Sequence, residues 1–281
     1  MRAAIFVPEP DYPEDWDWAY EVEAAALLRA GFSVESRPWS EPGDLAGFDL
    51  VTPLVAWGYH QDPARWHALL DRLEREGVPV LNPVPLLRWN SDKRYLAELG
   101  DNGIHVIPTR LVDRLDNAAL AEAREEFGEK LVIKPPISAS AYGTHLLGPD
   151  TPLPADSLGR EMLVQPFLRS VAEEGEYSCL LFGGRFSHAI VKRPKAGDYR
   201  VQPHLGGSER PCAAPEGAID LAHSALAAAP ADAAYARVDM VRDNDGRLAI
   251  IELELIEPAL WLQHAPDGGA AFASALVSAL A

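Results

Sequence analysis

The chain has 281 residues, 48% of them hydrophobic, and its formal net charge at pH 7 is −17. This composition excludes a disordered chain, and the negative charge argues against nucleic acid as the main partner. Its two cysteines, Cys179 and Cys212, lie in no CxxC pattern, so we expect unpaired thiols in a reducing cytoplasm. The chain shows neither a signal segment nor a long apolar run. We therefore expect a cytoplasmic protein without a membrane contact.

The first ninety residues alternate between strand-like and helix-like segments. Apolar runs predict strands at residues 3–7, 32–36, 48–54 and 78–81. Helical periodicity predicts helices at 17–31 and 63–76, which end at Gly31 and Gly77. This order predicts an α/β domain with a largely parallel sheet over residues 1–90.

Two further units are expected, residues 91–165 and residues 166–281. The central unit has predicted helices at 92–100 and 118–127 and predicted strands at 104–109, 131–134 and 162–165. The last unit has predicted strands at 177–182 and 185–192, a loop at 194–214 and helices at 218–229 and 270–280. The fold class is thus α/β, with an α+β C-terminal part.

Alternating acids near the C-terminus predict a charged hairpin. Asp245-Gly246 is a two-residue turn signal, and counting back from it places Asp239 opposite Glu252 and Arg237 opposite Glu254. Side chains alternate along a strand, so the four charges would share one face. The other face would hold Val238, Met240, Ile251 and Leu253. Three carboxylates on one face favour an oxygen-binding cation, and Mg²⁺ held together with substrate phosphates fits best.

Upstream residues could supply the phosphate contacts. Lys134 ends an apolar strand and emerges either into solvent or towards a bound anion. The loop after it is small and rich in hydroxyls, including Ser138 and Ser140, and such a loop can approach a phosphate closely. Lys192 and Arg200 belong to a basic stretch in an otherwise acidic chain, which also fits triphosphate binding.

A possible base site and several open assignments complete the set. The segment Gln165, Pro166, Phe167 and Leu168 follows a strand, and its backbone could meet an adenine edge. Glu173 and Glu176 are either nucleotide contacts or part of a solvated acidic face. His60, His188 and His204 are expected to be structural or substrate-facing rather than metal ligands.

Taken in order, these residues resemble the ATP-grasp superfamily of carboxylate–amine ligases. The resemblance runs from Leu81 onward and is closest to glutathione synthetase-like enzymes and to the O-ureido-serine cyclo-ligases that form cycloserine. It implies an ATP-grasp fold preceded by a Rossmann-like domain. It further implies phosphate contacts from Lys93, Lys134, Lys192 and Arg200, an adenine hinge at residues 165–168, and a ribose contact from Glu176 or Glu173. The metal ligands would be Asp239, Glu252 and Glu254, and Arg237 would stabilise an oxyanion.

The sequence departs from the family pattern in two places. Glu254 stands where asparagine is common, and the loop with Ser138 and Ser140 contains less glycine than is typical. The second departure puts the loop's mode of phosphate contact in doubt, but not its position.

The resemblance implies an ATP-dependent ligase that needs Mg²⁺, with two ions expected and Mn²⁺ as an alternative. An amino-acid-like acid would be activated as an acyl-phosphate and attacked by an amine, either from a second molecule or within the same one. A kinase acting on a hydroxyl and a non-catalytic nucleotide-binding module are the competing readings. The resemblance allows a homo-oligomer and does not name the acid. Trp57 and Tyr59 are either a wall of the acid site or packing residues, and Glu257 either contacts a substrate amino group or shapes a turn.

Overall fold

The N-terminal part forms a parallel three-stranded sheet covered by helices. The computed structural model describes residues 1–202 and 205–280. The elements of this part are β1 (Arg2–Val7), α1 (Asp17–Arg29), β2 (Ser33–Pro38), β3 (Leu50–Thr52) and α2 (Pro63–Glu76), and the strand order is β2-β1-β3. Helix α2 has the predicted bounds because the Asp62 side chain caps its start and Gly77, at φ 63°, ends it.

The strand predicted at 78–81 is wrong. Only one bridge forms there, between Val51 and Val80. Pro79 has no N–H to donate, and the chain turns at Pro83 into a new helix, so the pairing cannot continue.

The central part forms an antiparallel four-stranded sheet. Its elements are α3 (Val84–Asn90), α4 (Tyr95–Asp101), β4 (Arg110–Val112), α5 (Asn117–Phe127), β5 (Leu131–Lys134), β6 (His145–Leu147) and β7 (Met162–Pro166), in the strand order β4-β7-β5-β6. The strand predicted at 104–109 is wrong. That segment instead makes a single bridge from Val106 to Ile250, and regular pairing starts at Arg110. The helix predicted at 92–100 starts later, at Tyr95, and neither α3 nor β6 was expected from the sequence.

The C-terminal part forms an antiparallel five-stranded sheet. Its elements are α6 (Ser170–Glu173), β8 (Glu176–Phe182), β9 (Arg185–Arg193), β10 (Ser208–Cys212), α7 (Ala218–Ala227), β11 (Tyr235–Arg242), β12 (Leu248–Glu254) and α8 (Ala270–Ala279), in the strand order β10-β9-β8-β11-β12. Residues 194–214 were predicted as a loop throughout. This is wrong for β10, which pairs antiparallel with β9 from Ser208 to Cys212.

The parallel sheet and the five-stranded sheet share one hydrophobic core. Ile5 and Leu27 from the first part pack with Phe182, Tyr235 and Phe272 from the last part, and all five are almost fully buried. Trp57, a predicted wall residue of the site for the acid substrate, packs against this joint core.

The buried Asn82 side chain ties the same two parts together. It donates to the carbonyls of Tyr235 and Leu255 and accepts from the N–H of Ala234. The boundaries at residues 90 and 165 remain a prediction. Each sheet lies within one of the predicted units, except that β7 extends to Pro166.

None of the helices in residues 1–202 and 205–280 is long and apolar enough to cross a bilayer.

Candidate nucleotide and substrate site

The charged hairpin has the predicted register where the charges lie. Asp239 pairs with Glu252, and Arg237 pairs with Glu254. The turn is longer than predicted, because the N–H of Gly246 donates to the carbonyl of Asp243 and Arg242 pairs with Leu248. A bulge after Asp239 offsets the extra turn residue, so the register below the bulge is unchanged.

The same bulge makes one sequence prediction wrong. Ile251 was expected on the apolar face with Val238, Met240 and Leu253, but it lines the cavity beside Glu252. An extra residue in one strand reverses the alternation beyond it. Two consecutive residues of β12 therefore face the site, one apolar and one acidic.

Asp239 is the most buried carboxylate of the site. Lys192 donates to it at 2.8 Å, the Ser178 hydroxyl at 2.6 Å and the Arg237 guanidinium at 3.0 to 3.2 Å. Burial alone would raise the pKa of Asp239, but the charges of Arg237 and Lys192 hold this pKa well below its usual range. Asp239 is therefore ionised at neutral pH.

The other carboxylates also contact cations. Glu252 pairs with Lys93 at 2.7 Å, Glu254 contacts Arg237, and Glu176 contacts Lys192. Burial and the neighbouring carboxylates raise the pKa of Glu254 to about 8 despite the nearby guanidinium. The hairpin face thus carries positive and negative side chains next to each other, and a polyanionic ligand could bind to the positive ones.

Lys134 differs from the other cations because it makes no ion pair with any residue in the described parts of the chain. It is only 7% exposed, at the end of β5. Burial, with the charge of Lys93, lowers its pKa to about 8, although Glu252 opposes the shift. An ammonium group held in this way lacks an anion.

These side chains surround one cavity of about 160 Å³. It brings together the following predicted residues: Lys93, Lys134, Ser138, Ser140, Gln165, Pro166, Phe167, Leu168, Glu176, Lys192, Arg200, Arg237, Asp239, Glu252 and Glu254. Glu173 is not among them; it lies exposed at the end of α6. Ile107, Val171 and Ile251 add an apolar wall that the sequence did not identify, because buried aliphatic residues look alike in every core.

Arg200 and Phe167, two of the predicted ligand contacts, are already hydrogen-bonded within the protein. The Arg200 guanidinium donates to the Asp198 carboxylate at 3.0 to 3.1 Å. Arg200 therefore lines the cavity while it is paired with Asp198. In the hinge, the N–H of Phe167 donates to the carbonyl of Lys130, and its carbonyl accepts from Asn244 at 3.2 Å. The N–H of Phe167 is therefore not free to donate to a ligand, and the adenine contact of the hinge stays a prediction.

No three or more His, Cys, Asp or Glu residues within 1–202 and 205–280 are already grouped to hold a metal ion. The physical reason lies in the contacts above, because cations occupy the carboxylate oxygens of Asp239, Glu252 and Glu254. All three still line one cavity, and their oxygens are the donors that Mg²⁺ prefers. The donor set fits Mg²⁺ bound together with phosphates, and the metal assignment stays a prediction.

A second cavity, of about 580 Å³, adjoins the first. Lys192, Arg237, Glu254, Ala139 and Ser140 line both cavities. The rest of its wall is aromatic and acidic, with residues from four separate segments: Tyr12, Glu14, Trp18, Trp57, His60, Glu209, Glu257 and Trp261. The sequence indicated Trp57 and Glu257 but gave no signal for Tyr12, Trp18 or Trp261, which are distant from them in the chain.

The histidines divide as follows. His188 donates to or accepts from Ser187 and contacts the Leu260 carbonyl at 3.1 Å, so its role is structural. His60 lines the second cavity, 5% exposed, and its Nδ1 has no hydrogen-bond partner. Burial lowers its pKa to about 4, and the imidazole is neutral at pH 7. His204 lies outside the described residues.

Two antiparallel sheets, of four and five strands, enclose a cavity of lysines and carboxylates beside a second, aromatic cavity. These features are those expected of an ATP-grasp ligase. Comparison with known proteins agrees, since a profile described as the N-terminal domain of D-cycloserine synthetase DcsG matches residues 5–82. The cycloserine biosynthesis protein DcsG of Streptomyces lavendulae is 31% identical over 300 residues, which cover 99% of this chain and 98% of that protein. The chain belongs to the DcsG family of ATP-grasp ligases.

Other relatives extend the similarity. A glutathione synthetase of Prochlorococcus marinus is 32% identical over 192 residues, covering 63% of this chain and 59% of that protein. The crystal structure of D-cycloserine synthetase DcsG matches all of both chains with a TM-score of 0.85 and 28% identity. D-alanine–D-alanine ligase from Bacillus anthracis shares the fold, with a TM-score of 0.71 at 17% identity over 100% of this chain and 97% of that one. The predicted family and fold are confirmed, and the chain is an ATP-dependent ligase that joins a carboxylate to an amine.

Proposed function

We propose that this ligase activates the carboxylate of an amino-acid-like substrate as an acyl-phosphate and then closes a ring with a nitrogen of the same molecule. The observation that carries the proposal is the shared wall of the two cavities. Lys192, Arg237 and Glu254 line both, so a triphosphate in one cavity and a carboxylate in the other would meet there. The similarity to a cycloserine biosynthesis protein over nearly the full length supports ring closure.

The first step joins the two substrates at this wall. A carboxylate oxygen attacks the γ-phosphorus of ATP, the bond from that phosphorus to the bridging oxygen breaks, and ADP leaves. Lys134 and Lys93 would hold phosphate oxygens, and Arg237 would stabilise the negative charge that develops between the substrates. Mg²⁺, held by Asp239, Glu252 and Glu254, would neutralise phosphate charge when bound.

The second step needs no side-chain nucleophile. The substrate nitrogen attacks the acyl carbon, the bond from that carbon to the phosphate oxygen breaks, phosphate leaves, and the nitrogen loses a proton. The second cavity, of about 580 Å³, would hold the acyl-phosphate while the nitrogen approaches. Arg237, held between Asp239 and Glu254 and 5.2 Å from the centre of the Trp261 ring, would stabilise the oxyanion of this step.

The test is ADP release with O-ureido-serine and a panel of amino acids, each with and without hydroxylamine. An acyl-phosphate would be trapped as a hydroxamate, whereas a kinase would give a stable phosphorylated product, and a binding module would release no ADP. Either of the last two results would overturn the proposal.

Variants at the predicted metal face sharpen this test. Asp239→Asn and Glu252→Gln should lower ADP release at least about 100-fold because each removes charge that offsets Mg²⁺. Glu173→Gln is the matched control, since it removes the same charge from an exposed residue outside the cavity. Full activity of Asp239→Asn would rule out the metal assignment.

We also propose a cytoplasmic enzyme with small-molecule substrates and no nucleic-acid partner. The unpaired Cys179 and Cys212 and the net charge of −17 support this.

A further inference from the structure

We propose that Glu257 binds the ammonium group of the acid substrate, which makes the enzyme select amino acids over the corresponding acids without the amino group. This inference rests on the proposed function and adds the residue that sets substrate class. Glu257 lies three residues after Glu254, the last residue of β12. It lines the second cavity next to the predicted metal face.

Glu257 makes no ion pair with the cations of the described chain, although the charges of Lys93 and Arg237 reach it. Lys192 and Arg237 are the cationic side chains on its described wall. Lys192 is paired with Glu176 and Asp239, and Arg237 with Asp239 and Glu254. No ion pair within residues 1–202 and 205–280 involves Glu257. A carboxylate in this position lacks the positive charge that a ligand ammonium would supply.

The wall facing Glu257 suits an ammonium group as well. The rings of Tyr12 and Trp18 lie 6.5 and 5.9 Å from that of Trp57, and all three line the cavity. The charge of Glu257 reaches this wall, since it adds to the burial and the Glu14 charge that raise the pKa of Tyr12 to about 12. Aromatic faces beside a carboxylate attract a desolvated cation and its apolar neighbours.

A second feature of the cavity independently indicates a polar ligand. His60 is buried against the same space, and its Nδ1 lacks a partner. A neutral imidazole with one open hydrogen-bonding position can meet an uncharged polar group of a substrate. The cavity thus offers a charged site at Glu257, an uncharged polar site at His60 and an aromatic wall.

The positive charge near Glu257 does not fully compensate for its burial. This burial raises the pKa of the Glu257 carboxyl to about 7, although the charge of Lys93 opposes the shift. An ammonium in contact would lower this pKa and keep the carboxylate ionised in the complex.

The experiment compares two probes that differ only in the amino group: O-ureido-serine, as both enantiomers, and 3-(ureidooxy)propanoic acid. ADP release gives kcat/KM for each with the wild type, Glu257→Gln, Glu257→Asp and Glu14→Gln. Glu14→Gln tests whether the other acid beside the aromatic wall of this cavity binds the ammonium group instead. An unchanged KM for ATP shows that each variant is folded.

Glu257→Gln should lower the preference for the amino acid by about 10- to 100-fold, mainly through KM, because a charge-assisted hydrogen bond is lost. Glu257→Asp should restore part of the preference, and Glu14→Gln should change it less than about threefold.

Each result decides between specific claims. ADP release with an unchanged preference in Glu257→Gln, or an equal loss in Glu14→Gln, overturns this inference alone. A wild type that does not prefer the amino acid also overturns it. No ADP release from either probe with the wild type overturns the proposed function together with the inference.

Discussion

Lys134 should take up a proton when the nucleotide binds, and the amount should depend on pH. Without an anion its pKa is about 8, because the ammonium is buried, so it is roughly half charged at pH 8. A triphosphate beside it supplies the missing negative charge and should return the pKa to its usual value of about 10.4. This change couples protonation to nucleotide binding by roughly 3 kcal/mol.

The sign follows from the direction of the shift. Binding favours the protonated lysine, so the contribution of Lys134 to nucleotide affinity should be constant below pH 7 and fall as the pH rises through 8. The proton uptake by Lys134 per bound nucleotide should increase from near zero at pH 6 to roughly 0.5 at pH 8 and roughly 0.9 at pH 9. Glu254, whose pKa is about 8, would release protons when it binds Mg²⁺, so the uptake by Lys134 is the difference between the wild type and a variant without a titrating group at position 134. The γ-phosphate loses its last proton at about pH 6, so it does not obscure the uptake at pH 8 and 9.

Isothermal titration calorimetry with a non-hydrolysable ATP analogue and Mg²⁺ measures this uptake. The slope of the apparent enthalpy against the ionisation enthalpy of several buffers gives the number of protons. Lys134→Arg is the control, because it keeps the charge at every pH, and its uptake should be lower than that of the wild type by roughly 0.5 protons at pH 8 and roughly 0.9 at pH 9. Equal uptake by the wild type and Lys134→Arg would refute the reasoning.

Three further variants test packing and the second cavity. Glu23→Met should raise the free energy of unfolding by about 1–3 kcal/mol at pH 8 and less at pH 5. Burial raises the pKa of Glu23, so this carboxyl costs little when protonated and more as the pH rises; an equal gain at both pH values would contradict this account. Asn82→Ala should cost about 3 kcal/mol in urea unfolding, because it leaves three buried backbone groups without partners. Gly58→Ala should raise KM for the acid about tenfold and leave KM for ATP unchanged, because its Cβ would lie 3.1 Å from the Tyr12 ring at a φ of 90°. An equal rise in both KM values would instead indicate a general disturbance.

The elements that the sequence predicted well are those with local signals. Helix α2 carries a capping Asp62 and a terminal Gly77, and its bounds match the prediction. Strand β10 carries no such signal, because Pro211 and the charges around it are typical of a loop, and only pairing with β9 makes it a strand. Tertiary contacts therefore determine the secondary structure of that segment.

The candidate site shows the same division. Charge alternation was enough to place Asp239 opposite Glu252, although the predicted turn was one residue too short and the bulge corrected the count. The aromatic cavity could not be predicted, because Tyr12, Trp57 and Trp261 come from segments that meet only through the shared core. Local patterns identify chemistry, and long-range packing decides which groups meet.

The hairpin of β11 and β12 connects the predicted metal site to the hinge. At one end Asp239 and Glu252 face the predicted metal site, and at the other Asn244 holds the carbonyl of Phe167 in the hinge. The five residue-to-residue steps from Asp239 to Asn244 span roughly 16 Å of extended chain. On the proposed assignment, the separation between the base and the reacting phosphate is set within a single hairpin. The hairpin and its hydrogen bond to Phe167 therefore hold the hinge at a defined distance from the predicted metal site.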